Sequence, residues 1–513
     1  MEELILRFPH LSESIFKEID SENLVKCREV RKLWCNYLDG QKFLKIRIIK
    51  ATVKQFHKIG DTWTRVFETA TTQTIMHLGE AVKNFYEKDS IKKYHNGTTP
   101  LHVAAATSGL LLYVEIYDKA IDKNPKDDEG TSVLHYPAQN GHTNCYEQIS
   151  KKIVDKNPKD NTGWTPLHSA ASNGHKEICE NIMKKIHYEV PLDDKGLTPF
   201  HLAAFKGHLR TCHFFMNMIK DKTPRDNYGN TPLHFATMMG HFFVFACIQN
   251  KTLDKKPRAN NGMRPLHVAA KHGHLQIFQY MCQFILDKNE DRNPVTDNGN
   301  TPLHLSANEG HLQISQYILD SNMNDPNQMN NIGKTALHLA SINGHVLICK
   351  KIMEKVENKN PEDDGGLTPL HEAAFYGHIQ VCKLIMETVK DINLKDLQGW
   401  MPVHLAAVQG HTKVVEYIME NSTDKNPKGR QSWTPLHLAA WRGHLDICEY
   451  ICLKTGGIML KNDSGHTPLD YAKQFNQARI IEYLSFIKMR NDYAGMNGNV
   501  EWNGLVQKWT SIL

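Results

Sequence analysis

Short groups of apolar residues alternate with polar stretches along most of the chain. Some groups carry two adjacent alanines, as at Ala170 a few residues after Leu167. The next group along the chain has apolar residues at helical spacing, as at Ile178 and Ile182. Such spacing predicts an amphipathic helix. The polar stretches, such as 155–161, are rich in Pro and Asn and predict exposed turns. The pattern therefore predicts pairs of short helices joined by turns.

The tetrapeptide Thr-Pro-Leu-His, or a close variant, sets the period of this pattern. It recurs every 33 residues, with one step of 37 and one of 34, and Gly-His follows most copies. The last residues of the twelve copies are His102, His135, His168, His201, His234, His267, His304, His338, His371, His404, His437 and Asp470. A fixed period of this length indicates repeats that stack, because one such unit cannot bury its apolar face alone.

The recurring residues have physical reasons within each unit. Thr165 is placed to accept a backbone N–H at the start of the first helix, where Pro166 has no N–H to leave unpaired. Gly174 supplies the left-handed residue that ends this helix. We therefore expect each unit to run turn, helix, tight turn, helix.

Several copies depart from the pattern. Val133 replaces the proline, and Pro137 lies where the first helix should continue. Ser432 replaces the glycine of the polar turn that precedes the tetrapeptide. Four extra residues precede His304, and the last copy has Asp470 and no Gly-His. We expect strain or bending at these internal units, and an atypical end unit because one of its faces meets water.

This pattern resembles the ankyrin-repeat family over about residues 95–490. The resemblance implies an all-α fold with β-turn fingers, a solenoid of about twelve helix–turn–helix units. In such arrays the finger tips and the pair before Gly-His line a concave face that binds a protein target. The residues predicted to bind the target are Phe205, Lys206, Tyr228, Met238, Met239, Phe375, Tyr376, Trp441 and Arg442. Aromatic residues and methionine beside cations are typical of interface cores, but packing between units explains each residue equally well.

Composition narrows the classes of function. The 513 residues carry 61 Lys+Arg against 56 Asp+Glu, so the net charge of +5 gives no overall field for a nucleic acid or a membrane surface. No run of 18 apolar residues occurs, and residues 1–8 lack the features of a signal peptide. We therefore expect a cytoplasmic protein, with the nucleus as the alternative, and no nucleic-acid partner or membrane insertion.

The 29 histidines suggest metal chemistry, but 21 of them belong to the repeat. Equivalent histidines of stacked repeats should lie about 8–10 Å apart, whereas two ligands of one zinc ion lie about 4 Å apart or less. Hydrogen bonds to turns within and between units are therefore the predicted role of these histidines.

The remaining signals for chemistry are weak. The eleven cysteines form no Cys-x-x-Cys pair. Five of them share one repeat position that predicts buried packing, namely Cys179, Cys212, Cys349, Cys382 and Cys448. His371-Glu372 resembles the start of a zinc-protease motif, but Phe375 stands where the second histidine is needed. No catalytic residue, metal ligand or cofactor is predicted, so we expect a protein that is not an enzyme.

Residues 8–39 lie outside the repeat and have the apolar spacing of a compact set of short helices. They resemble the F-box family in an apolar-Pro start, an apolar pair, Ile-Asp, Leu, Val and Trp. The resemblance implies docking to a Skp-type adaptor and, through it, to a cullin–RING ubiquitin ligase. The residues implied in this contact are Pro9, Ile15, Leu24, Val30 and Trp34. The alternative is a helical cap on the repeats.

Four parts are therefore predicted. They are an F-box-like segment at 1–50, a helical linker and cap at 51–94, twelve repeats at 95–490 and a tail at 491–513. In the tail, Trp502, Leu505, Val506, Trp509 and Leu513 have helical spacing, which predicts a C-terminal cap or a peptide ligand. Together, these four parts predict a substrate receptor of a cullin–RING ligase. The alternative is a scaffold or anchoring protein without a ligase partner.

Overall fold

The computed structural model describes residues 96–106, 110–120, 122–187, 189–287, 293–321, 325–389 and 391–496. The chain divides into two compact units, residues 1–260 and 261–513, and each is described by itself. The segments 1–50, with Pro9, Ile15, Leu24, Val30 and Trp34, and 51–94 lie outside the described residues, as does the tail from residue 497.

The described part of the first unit holds five helix pairs, one for each tetrapeptide. The helices are α1 Pro100–Ala106, α2 Leu110–Lys119, α3 His135–Asn140, α4 Thr143–Lys152, α5 Pro166–Ser172, α6 Lys176–Lys185, α7 Pro199–Phe205, α8 Leu209–Met218, α9 Pro232–Met238 and α10 Phe242–Lys251.

The described part of the second unit holds seven more pairs. The helices are α11 Pro265–His272, α12 Leu275–Asp287, α13 Pro302–Glu309, α14 Leu312–Asp320, α15 Ala336–Ile342, α16 Val346–Met353, α17 Pro369–Phe375, α18 Ile379–Met386, α19 Pro402–Gln409, α20 Thr412–Asn421, α21 Pro435–Arg442, α22 Leu445–Thr455, α23 Pro468–Gln474 and α24 Ala478–Met496.

The ends of the first helices follow the sequence signals. Pro166, Pro199 and their equivalents occupy the first helical position after an extended residue. A left-handed glycine follows, as at Gly174 with φ +78° and Gly377 with φ +78°. This geometry suits proline, whose φ is already helical, and glycine, which has no Cβ to clash.

Stacking follows the same order in each unit. First helices pack on first helices, as α5 does on α3 and α7, and second helices pack on second helices, as α16 does on α14 and α18. The buried residues between them are the alanines of the first helices and the apolar residues of the second, such as Ala170, Ala171 and Ile178. Because the described residues form helices and turns with one isolated bridge, Lys126 to Ser132, the predicted all-α repeat fold is confirmed.

The irregular units show how the backbone adapts. Without the proline at Val133, α3 begins only at His135, and this places Pro137 in the first turn, where its missing N–H is tolerated. Gln431 and Ser432 both have positive φ, 51° and 57°, which confirms the strain expected where Ser432 replaces glycine. The last helix continues past the predicted repeat end at residue 490, and the Asn491 side chain donates to Gly457 O at 3.0 Å.

Candidate protein-interaction surface

The tetrapeptide histidines hold each first helix in place. The Thr165 N–H donates to His168 Nδ1 at 3.1 Å, and His168 Nε2 lies 3.0 Å from Leu197 O in the next repeat. An N–H can only donate and a carbonyl can only accept, so the histidine is neutral with its hydrogen on Nε2. The same pair of contacts recurs at His201, His338 and His437, which confirms the predicted bonding to turns within and between units.

The role of the threonine is wider than predicted. The Thr198 hydroxyl accepts the His201 N–H at 3.4 Å, as expected for a helix cap, but a shorter contact of 2.9 Å joins this hydroxyl to His201 Nδ1. At Thr165 the hydroxyl likewise lies 2.9 Å from His168 Nδ1. The imidazole is therefore the main partner of the threonine at the start of the helix.

The Gly-His histidines bond in the opposite direction along the stack. His208 Nε2 lies 2.9 Å from Ser172 O, and His411 Nε2 lies 2.9 Å from Phe375 O, both in the preceding repeat. The ring also fills the space above the preceding turn glycine, where a Cβ on Gly377 would come within 2.5 Å of His411 Nδ1. These bonds fix the carbonyl of the first residue of each pair that the sequence predicts to face a target.

In the first unit, Phe205 at the end of α7 serves two purposes. Its half-buried ring lies edge-on to Phe235 of α9, with centroids 6.0 Å apart, and the exposed Lys206 places Nζ 5.5 Å from the Phe205 ring. An edge-on aromatic contact and a cation over a ring both stabilise this arrangement. The sequence left open whether Phe205 packs between repeats or faces a target. In the structure its ring packs against Phe235 and is also partly exposed to solvent. The sequence pattern did not predict a role for Phe235, although its position directly after His234 offered a signal.

The other predicted residues of the first unit differ in exposure. Tyr228 is 69% exposed at a finger tip, and its N–H donates to Asp226 Oδ1 at 3.0 Å. Met239 is 43% exposed, whereas Met238 is half-buried. Tyr228 and Met239 thus offer apolar surface held by an ordered backbone.

In the second unit, Phe375 and Tyr376 form one aromatic pair. Their ring centroids are 5.0 Å apart, and the two ring planes are nearly perpendicular. Tyr376 is 48% exposed, and its ring stacks on that of His378 with centroids 6.5 Å apart. Phe375 is half-buried, so Tyr376 is the member of the pair that offers more area to solvent.

A larger aromatic cluster surrounds Trp441. Trp433 and Phe475 each lie 6.0 Å from the Trp441 ring, and the guanidinium of the exposed Arg442 lies 4.2 Å from it. Tyr471 extends the cluster, with its ring 4.4 Å from that of Trp433. The sequence predicted only Trp441 and Arg442 here, but Phe475 follows Arg442 by one period of 33 residues.

Within the second unit, the aromatic groups around Phe375 and Trp441 belong to separate repeats. Phe375 and Trp441 stand at the same position of units that are two repeats apart. Helix spacing of about 8–10 Å places them about 16–20 Å from each other. Such spacing suits the side chains of a protein partner better than a small molecule.

An ion triad between two repeats was not predicted. Lys334 Nζ lies 3.2 Å from Asp363 Oδ2 and also contacts Glu372 Oε1, and all three side chains are largely buried. Burial would lower the pKa of Lys334, but the hydrogen bonds and charges of Glu372 and Asp363 outweigh it and raise the pKa. Glu372, which follows His371 in the rejected zinc-protease motif, thus belongs to an ion pair.

The cysteines and histidines of the described residues show no sign of a metal site. No group of three or more His, Cys, Asp or Glu side chains in that part of the chain could hold a metal ion. Burial raises the pKa of Cys349 and Cys382 to about 12, so these thiols stay protonated at neutral pH. The buried packing predicted for the repeat-position cysteines is confirmed at Cys179, Cys212, Cys349, Cys382 and Cys448.

Comparison with known families agrees with this geometry. The family model described as ankyrin repeats in three copies matches residues 70–160, 109–191, 180–255, 243–330, 322–396, 388–459 and 403–493. These matches span more than half of the chain, which therefore belongs to the ankyrin-repeat family. Ankyrin repeats indicate a role in protein–protein interaction. No curated protein matches the chain. In the described residues, no helix is both long and apolar enough to cross a membrane.

Proposed function

We propose that this protein is a non-catalytic substrate receptor of a cullin–RING ubiquitin ligase. The repeats hold a protein target, and the F-box-like segment at 1–50 recruits a Skp-type adaptor. The protein acts in the cytoplasm, with the nucleus as the alternative. Its contribution to ubiquitylation is proximity, since holding a target lysine near a ligase raises the effective concentration of the reacting groups.

The observation that supports target binding is the exposed apolar and cationic surface of the repeats. Tyr228, Met239 and Tyr376 are large apolar residues with 69%, 43% and 48% exposure, and their backbone lies in ordered turns and helix ends. Aromatic and methionine side chains are enriched in interface cores, where aromatic residues are typical anchors. Lys206 and Arg442 add charge beside the rings of Phe205 and Trp441.

The adaptor part of the proposal depends on the sequence pattern at 8–39. Leu24 and Trp34 are the apolar anchors that the resemblance implies. A helical segment of about forty residues is too small to be very stable alone, which is consistent with folding against a partner.

Co-purification of the full chain with a Skp-type adaptor tests the proposal. We expect the intact protein to retain the adaptor, and Leu24→Ala with Trp34→Ala to lose it. Tyr228→Ala with Tyr376→Ala serves as the matched control, because two large side chains are again removed, both of them exposed, and only target binding should suffer. Failure of the intact protein to bind the adaptor would overturn the receptor proposal.

The scaffold alternative predicts a different result from deletion. If residues 1–50 only cap the repeats, their removal lowers the melting temperature of the rest of the chain without loss of a ligase partner. If they recruit the adaptor, their removal abolishes co-purification.

A further inference from the structure

One finger position carries a cation in three repeats of the first unit. It is the residue directly before the aspartate that starts each finger turn, and it recurs every 33 residues as Lys126, Lys159, Leu192 and Arg225. Lys126, Lys159 and Arg225 are exposed, and Leu192 is 48% exposed. We call these four residues the finger stripe.

Main-chain carbonyls of the neighbouring repeat hold the finger stripe in place. Lys126 Nζ donates to Lys159 O at 2.9 Å, and Lys159 Nζ donates to Leu192 O at 2.9 Å. Arg225 Nη1 donates to Arg258 O at 2.6 Å and to Gly229 O at 3.0 Å. Each cation is therefore fixed in position while other N–H groups of the same side chain stay available to a ligand.

Carboxylates lie next to the finger stripe in sequence, but within the described residues they do not pair with its cations. The adjacent aspartates accept hydrogen bonds from backbone N–H groups of their own turns. Asp127 Oδ1 accepts from the Thr131 N–H at 2.7 Å, and Asp160 Oδ1 accepts from the Trp164 N–H at 2.9 Å. In that part of the chain no carboxylate forms an ion pair with Lys126, Lys159 or Arg225.

We propose that the finger stripe binds an extended acidic segment of the target. Equivalent residues of neighbouring repeats should lie about 8–10 Å apart. An extended peptide in the polyproline II conformation advances about 3.1 Å per residue with three residues per turn, so every third side chain lies on the same face about 9.3 Å further along. A segment with Glu or Asp at every third position thus places one carboxylate at each cation, with room for an apolar residue against Leu192. This inference rests on the proposed function, because it names the chemistry of the target.

A nucleic acid fits the stripe less well. Each strand of a duplex brings a phosphate about every 3.4 Å, so most phosphates would face the gaps between cations. Finger carboxylates also lie beside the stripe, as at Asp194, whose Oδ1 would be 2.8 Å from a Cβ on Gly163 of the preceding finger. A peptide can place neutral residues opposite these groups.

A fluorescein-labelled peptide of about ten residues, with Glu at every third position and Gly and Ser between, tests the proposal by fluorescence polarisation with the full chain. We expect the triple variant Lys126→Ser, Lys159→Ser and Arg225→Ser to weaken binding at least tenfold. The control triple Lys151→Ser, Lys176→Ser and Lys184→Ser removes the same charge from the second helices α4 and α6 and should stay within twofold of the intact protein.

Leu192 provides a test that leaves every stripe hydrogen bond in place. Leu192→Lys should tighten binding about threefold, and Leu192→Glu should weaken it about fivefold. A peptide of the same composition with its glutamates in one run should bind at least fivefold more weakly than the spaced peptide.

Three results would overturn the acidic-segment proposal: equal losses in the two triple variants, equal affinity for the two peptides, or tighter binding of a single-stranded oligonucleotide. Each is separate from adaptor co-purification. Adaptor binding without peptide binding would leave the receptor proposal standing, and peptide binding without adaptor association would remove only the ligase link.

Discussion

At the scale of single residues, lysines in the polar stretches cap helices. Lys425 Nζ donates to Ser422 O at 2.7 Å and to Glu420 O at 3.2 Å, at the end of α20. Lys123 Nζ donates to Asp118 O at 3.0 Å in the same manner, at the end of α2. A cation at a helix C-terminus satisfies carbonyls that lack helical partners and interacts favourably with the helix dipole. The sequence predicted only exposed turns here.

Replacing Lys425 should show this capping role. Lys425→Met keeps the length of the side chain but removes the charge and the N–H groups, so the free energy of unfolding should fall by about 1 kcal/mol. Lys428→Met, at an exposed site three residues later, should change it by less than about 0.5 kcal/mol. Urea denaturation followed by circular dichroism measures both, and equal effects would contradict the capping role.

At the scale of the helix pair, the turn glycine is required for two reasons. Gly377 has φ +78°, and a Cβ there would lie 2.5 Å from His411 Nδ1 of the next repeat. Gly456, after α22, has φ +66°, but a Cβ there would meet no atom within 4 Å. Comparing Gly377 with Gly456 thus separates the cost of backbone strain from the cost of displacing the imidazole.

Alanine at these two glycines should therefore cost different amounts. Gly456→Ala carries only the left-handed strain, about 1–2 kcal/mol. Gly377→Ala must also displace the His411 ring and its bond to Phe375 O, which should raise the loss to about 3 kcal/mol. Thermal denaturation tests this order, and an equal drop in melting temperature would argue against the imidazole contact.

At the scale of the whole molecule, the buried histidines make stability depend on pH. Burial lowers the pKa of six of them to about 4, from an ordinary value of 6.5. These six are His168, His201, His304, His338, His404 and His437. Between these two values the unfolded chain binds more protons than the folded chain, so protonation favours unfolding.

The melting temperature should therefore be steady above about pH 7 and fall as the pH decreases from about 6.5 towards 4. Each of the six histidines contributes at most about 3 kcal/mol to this loss. His338→Gln should make the dependence shallower, since it removes one group that titrates only on unfolding. A melting temperature that stays constant from pH 7.5 to pH 5 would contradict the neutral state of these imidazoles.

Much of the fold could be predicted because its signals are local. Pro166 and Gly174 restrict their own backbone, so they mark a helix start and a helix end wherever they recur. The late start of α3 was less predictable, because the loss of proline at Val133 acts together with Pro137. At the candidate surface, the pair position before Gly-His pointed to Phe205 and Trp441, whereas Phe235 and Trp433 entered through contacts with them.

The sequence by itself determined the repeat, its period and the ends of most helices, because each depends on the φ and ψ preferences of one or two residues. The tertiary structure alone decided the partners that lie about one repeat away. It joined His168 to Leu197 O, Lys159 to Leu192 O and Lys334 to Glu372. These pairs depend on how neighbouring repeats align, and that alignment arises only when the apolar faces of the helices are buried together.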